Sequence, residues 1–177
     1  NEPPELFAER MPARLKPRAP HTAIVDGVPS LLVEGLRPRR MPKGREALTD
    51  EDVVRSQAGG WDPKLRMSDQ DRDGIAAEVV FPTLSLQSSF STPDPELQLA
   101  LSRAYNEWAT EIFSPYPKRF AVAAIVPMLD IDAAMVEARR AKELGHRCLF
   151  LPAQVPSRPY NHPDYARFWA LAQELGL

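Results

Sequence analysis

Three apolar runs end alike, in a proline followed by one more small or apolar residue: Val79-Val80-Phe81-Pro82-Thr83, Ala124-Ile125-Val126-Pro127-Met128 and Leu149-Phe150-Leu151-Pro152-Ala153. Each predicts a buried strand stopped at its C-terminal end. Proline has no N–H for a ladder, and it pushes the residue before it into extended geometry. Helical spacing follows each run. After Asp94-Pro95-Glu96, where an acidic N-cap precedes proline at the first helical position, Leu97, Leu101, Ala104, Tyr105, Trp108, Ile112 and Phe113 recur on one face. Pro115 and Pro117 stop that helix. A second helix is capped by Asp130 or Asp132 and runs to Glu143-Leu144-Gly145; a third starts at Asn161-His162-Pro163-Asp164 and ends at Glu174-Leu175-Gly176. The nearly unbroken apolar stretch from Phe120 to Pro127 suits a strand buried on both faces. Strand and helix in alternation predict an α/β fold with parallel strands whose C-terminal ends share one rim, where such folds place their chemistry. Glu-Leu-Gly recurs about 31 residues apart, the length of one βα unit with glycine at the helix end.

Residues 1 to about 66 show little sustained periodicity, so the chain divides into 1–66, an irregular N-terminal insertion, and 67–177, an α/β unit. Glu5 to Arg10 suits one short helical turn, which Pro12, Pro17 and Pro20 keep from extending. Thr22 to Val25 and Leu31 to Glu34 flank Asp26-Gly27 and predict a small β-hairpin. Arg37, Arg39, Arg40, Lys43 and Arg45 read as a solvated loop, with an anion-binding or subunit-contact role as the alternative. Ser68 or Asp69 is expected to cap a short helix ending near Gly74. Ser85, Ser88, Ser89 and Ser91 read as a flexible rim loop.

Composition narrows the picture. The chain has 177 residues, one good core's worth, and a formal charge of -2, which gives no field to attract nucleic acid. Cys148 is the single cysteine, so no disulfide forms within the chain, and a reducing, cytoplasmic setting is expected. No run approaches the roughly 20 apolar residues that span a bilayer. The chain begins at Asn1 rather than Met, inside a proline-rich segment, and so reads as a piece.

Chemistry-bearing motifs are few. His21, His146 and His162 make no metal-binding pair, and neither a Gly-rich phosphate loop nor G-x-S-x-G is present. His21 reads as solvated, His146 as a cation at a helix end, and His162 as a cap on the presumed functional rim. Asp69, Asp71 and Asp73 lack the glutamate a calcium loop needs at its twelfth position. Tyr105 and Trp108 share a buried face, with Asn106 turned toward a neighbouring loop. The substrate-rim candidates are Thr83, Met128, Ala153, Gln154 and His162.

Asp71-Arg72-Asp73-Gly74-Ile75, Glu78 through Thr83, Asp94-Pro95-Glu96-Leu97, Tyr105-Asn106-Glu107-Trp108, Pro117-Lys118-Arg119-Phe120 with Val126-Pro127, and His162-Pro163 leading to Glu174-Leu175-Gly176 occur in an order that resembles the amidohydrolase-related branch typified by aminocarboxymuconate semialdehyde decarboxylase. Glu2-Pro3-Pro4-Glu5-Leu6-Phe7 resembles the segment after that family's first metal motif. The resemblance implies a partial TIM-type (β/α)8 barrel, here parallel strands 2 to 4, and a divalent metal, zinc or manganese, in the full-length protein. It also implies hydrolysis or decarboxylation of a small carboxylated substrate, and homo-oligomers. On this alignment the metal ligands fall before Asn1 and after Leu177. No catalytic or metal residue is therefore carried over, no metal is expected in this fragment, and the isolated chain is expected to be inactive. No nucleic-acid or membrane partner is expected. The alternative is a non-enzymatic open α/β module that binds a ligand or partner at the same rim.

Overall fold

The computed structural model describes residues 2, 6–41, 58–60, 62–155 and 158–177. The expected parallel sheet is formed by β4 (Glu78–Val80), β5 (Phe120–Ile125) and β6 (Cys148–Phe150), with β5 in the middle. β4 pairs with β5 from Glu78↔Phe120 to Val80↔Val122, and β5 with β6 from Ala123↔Cys148 to Ile125↔Phe150. Every residue of β5 except Ala121 is buried, as burial on both faces demands. Pro82, Pro127 and Pro152 follow at the same end of the sheet.

The helices between the strands obey their terminal signals. Asp94 caps α4 (Pro95–Phe113) by accepting from the Glu96 and Leu97 amides, and Asp130 caps α5 (Ile131–Glu143) through Asp132 and Ala133. Gly176 ends α6 (Ala166–Leu175) in the left-handed region at φ 65°. Two of the expected elements differ. α2 (Pro63–Asp73) is capped six residues before Ser68, at Asp62, which accepts from the Lys64 and Leu65 amides; its end at Gly74 is as expected. The serine-rich segment is a helix, α3 (Leu84–Ser91), with Ser85, Ser88 and Ser89 buried. The Ser91 hydroxyl donates to the Glu34 carbonyl at 2.7 Å, so contact with the N-terminal region fixes a segment of low helix propensity.

That N-terminal region is ordered against α4. α1 (Leu6–Arg10) and the turns after it bury Phe7, Met11, Leu15 and Ala19, four residues apart. Arg10, Arg14 and Arg18 repeat at the same interval. Arg10 forms a two-pronged pair with Glu111, Arg14 meets Glu96, and Arg18 bridges Glu34 and Asp94. The hairpin is also present, with its second strand starting at Val28, directly after the turn, rather than at Leu31. β1 (His21–Val25) and β2 (Val28–Leu32) pair antiparallel around Asp26-Gly27, both at positive φ, and β3 (Arg39–Arg40) adds to β2. Arg39 and Arg40 are thus strand residues with exposed side chains, whereas Lys43 and Arg45 lie outside the described residues.

Two apolar clusters meet at β5. One joins α1, α4 and the strands, from Phe7 through Leu101 and Trp108 to Ile125; the other, from Val126 through Ala138 to Phe168, joins α5 and α6. Between them Asn106 is fully buried and ties helix to strand rather than to a loop. Its Nδ2 donates to the Ile125 carbonyl and to Glu137, both at 2.9 Å, and its Oδ1 accepts from the Ile125 amide at 2.9 Å. Arg103 and Arg140 complete the partners of the buried Glu137 carboxylate.

Candidate functional site

A parallel strand that ends in proline and runs into a helix leaves the first amides of that helix open on the rim. At β4 that helix is α3. Thr83, its N-cap residue, makes no capping bond with its own side chain. Glu2 supplies the anion instead. Its Oε1 accepts from the Thr83 and Ser85 amides at 2.9 and 3.1 Å, and its Oε2 from the Leu84 amide at 3.1 Å. A carboxylate at this position also faces the positive end of the helix dipole.

Glu2 and Thr83 separate two spaces. The larger, about 700 Å³, lies between the hairpin and α3. Lys16, His21 and Arg39 stand on its hairpin side, with Leu84 and Gln87 on its α3 side. His21 is exposed, and its Nδ1 lies 2.8 Å from the Ala19 carbonyl, as a donor there. The smaller space, about 250 Å³, is lined by Glu2, Gly60, Arg66, Val80, Phe81, Thr83, Tyr105 and Trp108. Arg66 is paired with Glu78. Tyr105 is 1% exposed, and among the described residues its hydroxyl meets no hydrogen-bond partner. Burial, with the Glu2 charge adding to it, pushes the Tyr105 phenol far above its ordinary value, so it remains a donor across the working pH range.

Of the five rim positions, Thr83 lines both spaces; the other four line neither. Met128 is 1% exposed and packed in the α5–α6 cluster. Ala153 and Gln154 are exposed beyond the end of β6. His162 is exposed too, and its Nδ1 accepts from the Asp164 amide at 3.3 Å, capping the short 3-10 turn Pro163–Tyr165 before α6. His146 is not the cation expected at a helix end. It is 5% exposed, donates from Nδ1 to the Val122 carbonyl at 3.1 Å, and its Nε2 lies 3.0 Å from the Thr110 hydroxyl. Burial lowers its pKa below the usual histidine value and keeps it neutral.

Glu2, Lys16, Arg39 and Tyr105 were not singled out as rim residues by sequence patterns, because their contacts to the rim span tens of residues. No local signal could have found Glu2: Thr83 is itself a favoured N-cap residue, and only the structure shows that its side chain leaves the first amides to a distant carboxylate.

A divalent metal needs several ligands converging from different strands. Among the described residues no three His, Cys, Asp or Glu side chains converge. Both Glu2 oxygens are engaged by amides, and the three histidines have separate roles in the hairpin, the core and a cap. The described residues alone do not fit a metal.

The family model described as Amidohydrolase matches residues 20–177. A 2-amino-3-carboxymuconate-6-semialdehyde decarboxylase from Dictyostelium discoideum is 25% identical over 117 residues, which are 66% of this chain and 32% of that protein. The chain therefore spans about a third of the curated relative it matches. A crystal structure of 2,6-dihydroxybenzoate decarboxylase from Rhizobium aligns with a TM-score of 0.54 and 26% identity, over 62% of this chain and 36% of that one. An amidohydrolase structure from Mycobacterium avium subsp. paratuberculosis K-10 aligns with a TM-score of 0.76 and 17% identity, over 99% of this chain and 54% of that one, a likeness of fold. With parallel strands, rim-facing helix starts and a family match over most of its length, the chain belongs to the amidohydrolase family and carries part of a TIM-barrel-like fold.

Proposed function

We propose that the chain is part of a metal-dependent amidohydrolase-like enzyme that hydrolyses or decarboxylates a small carboxylated substrate. In this reading β4, β5 and β6 are strands 2 to 4 of a (β/α)8 barrel, and residues 1–66 are an insertion that walls one side of its rim. The observation that carries the reading is the family match over residues 20–177, with decarboxylases among the relatives.

The rim supports it. Lys16 and Arg39 put two cations on one wall of the 700 Å³ space, which suits the anionic end of a carboxylated substrate. Thr83 stands at the junction of both spaces, Met128 belongs to the packed floor, and Ala153, Gln154 and His162 extend the rim beyond β6. Losing CO2 leaves an electron pair on carbon, which must be stabilised and then protonated. That role is assigned to none of the described residues. The proposed metal, zinc or manganese, belongs to the longer protein, as do the cytoplasmic location and homo-oligomeric assembly proposed for it. The non-enzymatic module is disfavoured by the family match.

The test is CO2 release by the longer protein from 2,6-dihydroxybenzoate and related small carboxylates, before and after chelation. Turnover lost on chelation and restored by zinc or manganese is the expected result, with none from the 177-residue chain given one equivalent of metal. Turnover by the 177-residue chain would refute the fragment reading. A longer protein that binds no metal and neither decarboxylates nor hydrolyses carboxylated substrates would refute the enzymatic one.

A further inference from the structure

One wall of the larger rim space is a row of side chains that strand register brings together. Thr22 pairs with Leu31, and Leu31 with Arg39, so the three share one face of the hairpin sheet. Met41, two residues beyond Arg39, lines the space with them. Pro17 and Pro20 join from the turn before β1, and Leu84 from α3. No Phe, Tyr or Trp lines the space among the described residues, so its apolar surface is aliphatic. At about 700 Å³ it is several times the roughly 150 Å³ that holds benzene, and a single ring would leave most of it to solvent.

Charge gives the space a direction. Arg10, Arg14 and Arg18 each have a carboxylate partner, whereas Lys16 and Arg39, which line the space, meet none among the described residues. Glu2 lies at the α3 side, held by three amides, and repels a second anion there. An anionic head is therefore drawn to the hairpin side. The aliphatic surface between Leu31 and Leu84 is left for an apolar tail.

We infer that this space binds a medium-chain aliphatic acid, with its carboxylate at Lys16 and Arg39 and its chain along Leu31, Met41 and Leu84. The inference rests on the proposed function in one respect, that the carboxylated substrate is this open-chain acid. A flat aromatic acid fits less well, because no aromatic side chain lines the space to stack on its ring.

The 177-residue chain is titrated with butanoate, hexanoate, octanoate, 1-hexanol and benzoate, with affinity read by calorimetry and location by amide chemical shifts. Affinity should rise about threefold with each added methylene from butanoate to octanoate, with the shifts centred on Thr22, Leu31 and Leu84. Hexanoate should bind more tightly than 1-hexanol, and benzoate more weakly than octanoate. Lys16 and Arg39 are exposed, so the double variant Lys16→Gln with Arg39→Gln should keep its melting temperature. In it hexanoate should weaken about fivefold, toward the level of 1-hexanol, while 1-hexanol itself is unchanged. Raised salt should weaken hexanoate and spare 1-hexanol in the unaltered chain, which tests the same contact without a variant. No binding of octanoate, an affinity indifferent to chain length, shifts centred elsewhere, benzoate as tight as octanoate, or hexanoate binding unmoved by both the variant and salt would each overturn the inference. Neither metal nor turnover enters the readout. Octanoate can therefore bind as described while the proposed reaction fails, and a longer protein that decarboxylates 2,6-dihydroxybenzoate would keep the reaction if octanoate did not bind.

Discussion

Both ring nitrogens of His146 are committed inside the fold, one to Val122 and one to Thr110, and this fixes a pH dependence. Burial lowers its folded pKa, against the pull of the Val122 carbonyl. The unfolded chain, with an ordinary histidine near 6.5, therefore binds the proton more readily than the folded one. His146 thus supports the fold fully above about pH 6.5, and this support is lost as the pH falls from there through the lower folded value. Glu34 and Asp94, held low by their hydrogen bonds to Arg18, lose theirs only in the more acidic carboxylate range. Urea unfolding at pH 7 and pH 5 should show stability falling between the two, and His146→Gln should flatten that slope. An unchanged slope in the variant would count against the assignment. The sequence placed His146 correctly after a helix-ending glycine. It could not show that α4 and β5 close over the ring, since those partners lie 36 and 24 residues away.

Among the elements, the caps were legible and the tertiary supports were not. Asp94-Pro95 announced α4, whereas the same pair of residues at Asp62-Pro63, which starts α2, was passed over for Ser68 or Asp69 further along. α3 was illegible because serines favour turns as readily as helices, and what orders it comes from the N-terminal region. Gly35 shows how closely that region fits. A Cβ there would stand 2.1 Å from the Ser91 carbonyl oxygen, and φ is already +84°. At Gly27, with φ +75°, a Cβ would meet nothing within 4 Å. Gly27→Ala should therefore cost only the backbone strain of the turn, on the order of 1 kcal/mol. Gly35→Ala adds the clash and should cost at least about twice as much. Urea midpoints of the two variants test the ordering, and equal losses would mean that α3 yields freely.

For the whole molecule, local signals sufficed to mark three βα-like units and their shared rim. They marked the helical turn that became α1 but failed for the packing of residues 7–19, where the repeat of Phe7, Met11, Leu15 and Ala19 is broken by prolines and so resembles loop, though every member is buried. The arginines set between them face the acids of α4 and of the hairpin, a pairing that no local pattern displays. The Glu2 carboxylate extends this dependence to the rim, because three amides of α3 take their partner from 81 to 83 residues away. Those amides are thus a natural gauge of whether the start of the chain is docked. In Glu2→Ala, hydrogen–deuterium exchange should speed up at Thr83, Leu84 and Ser85 while the interior of α4 stays protected. Unchanged exchange at the three would mean that α3 holds its first turn unaided. A peptide bond cut near residue 2 would then register at the mouth of the rim, far along the chain, before the core had loosened at all.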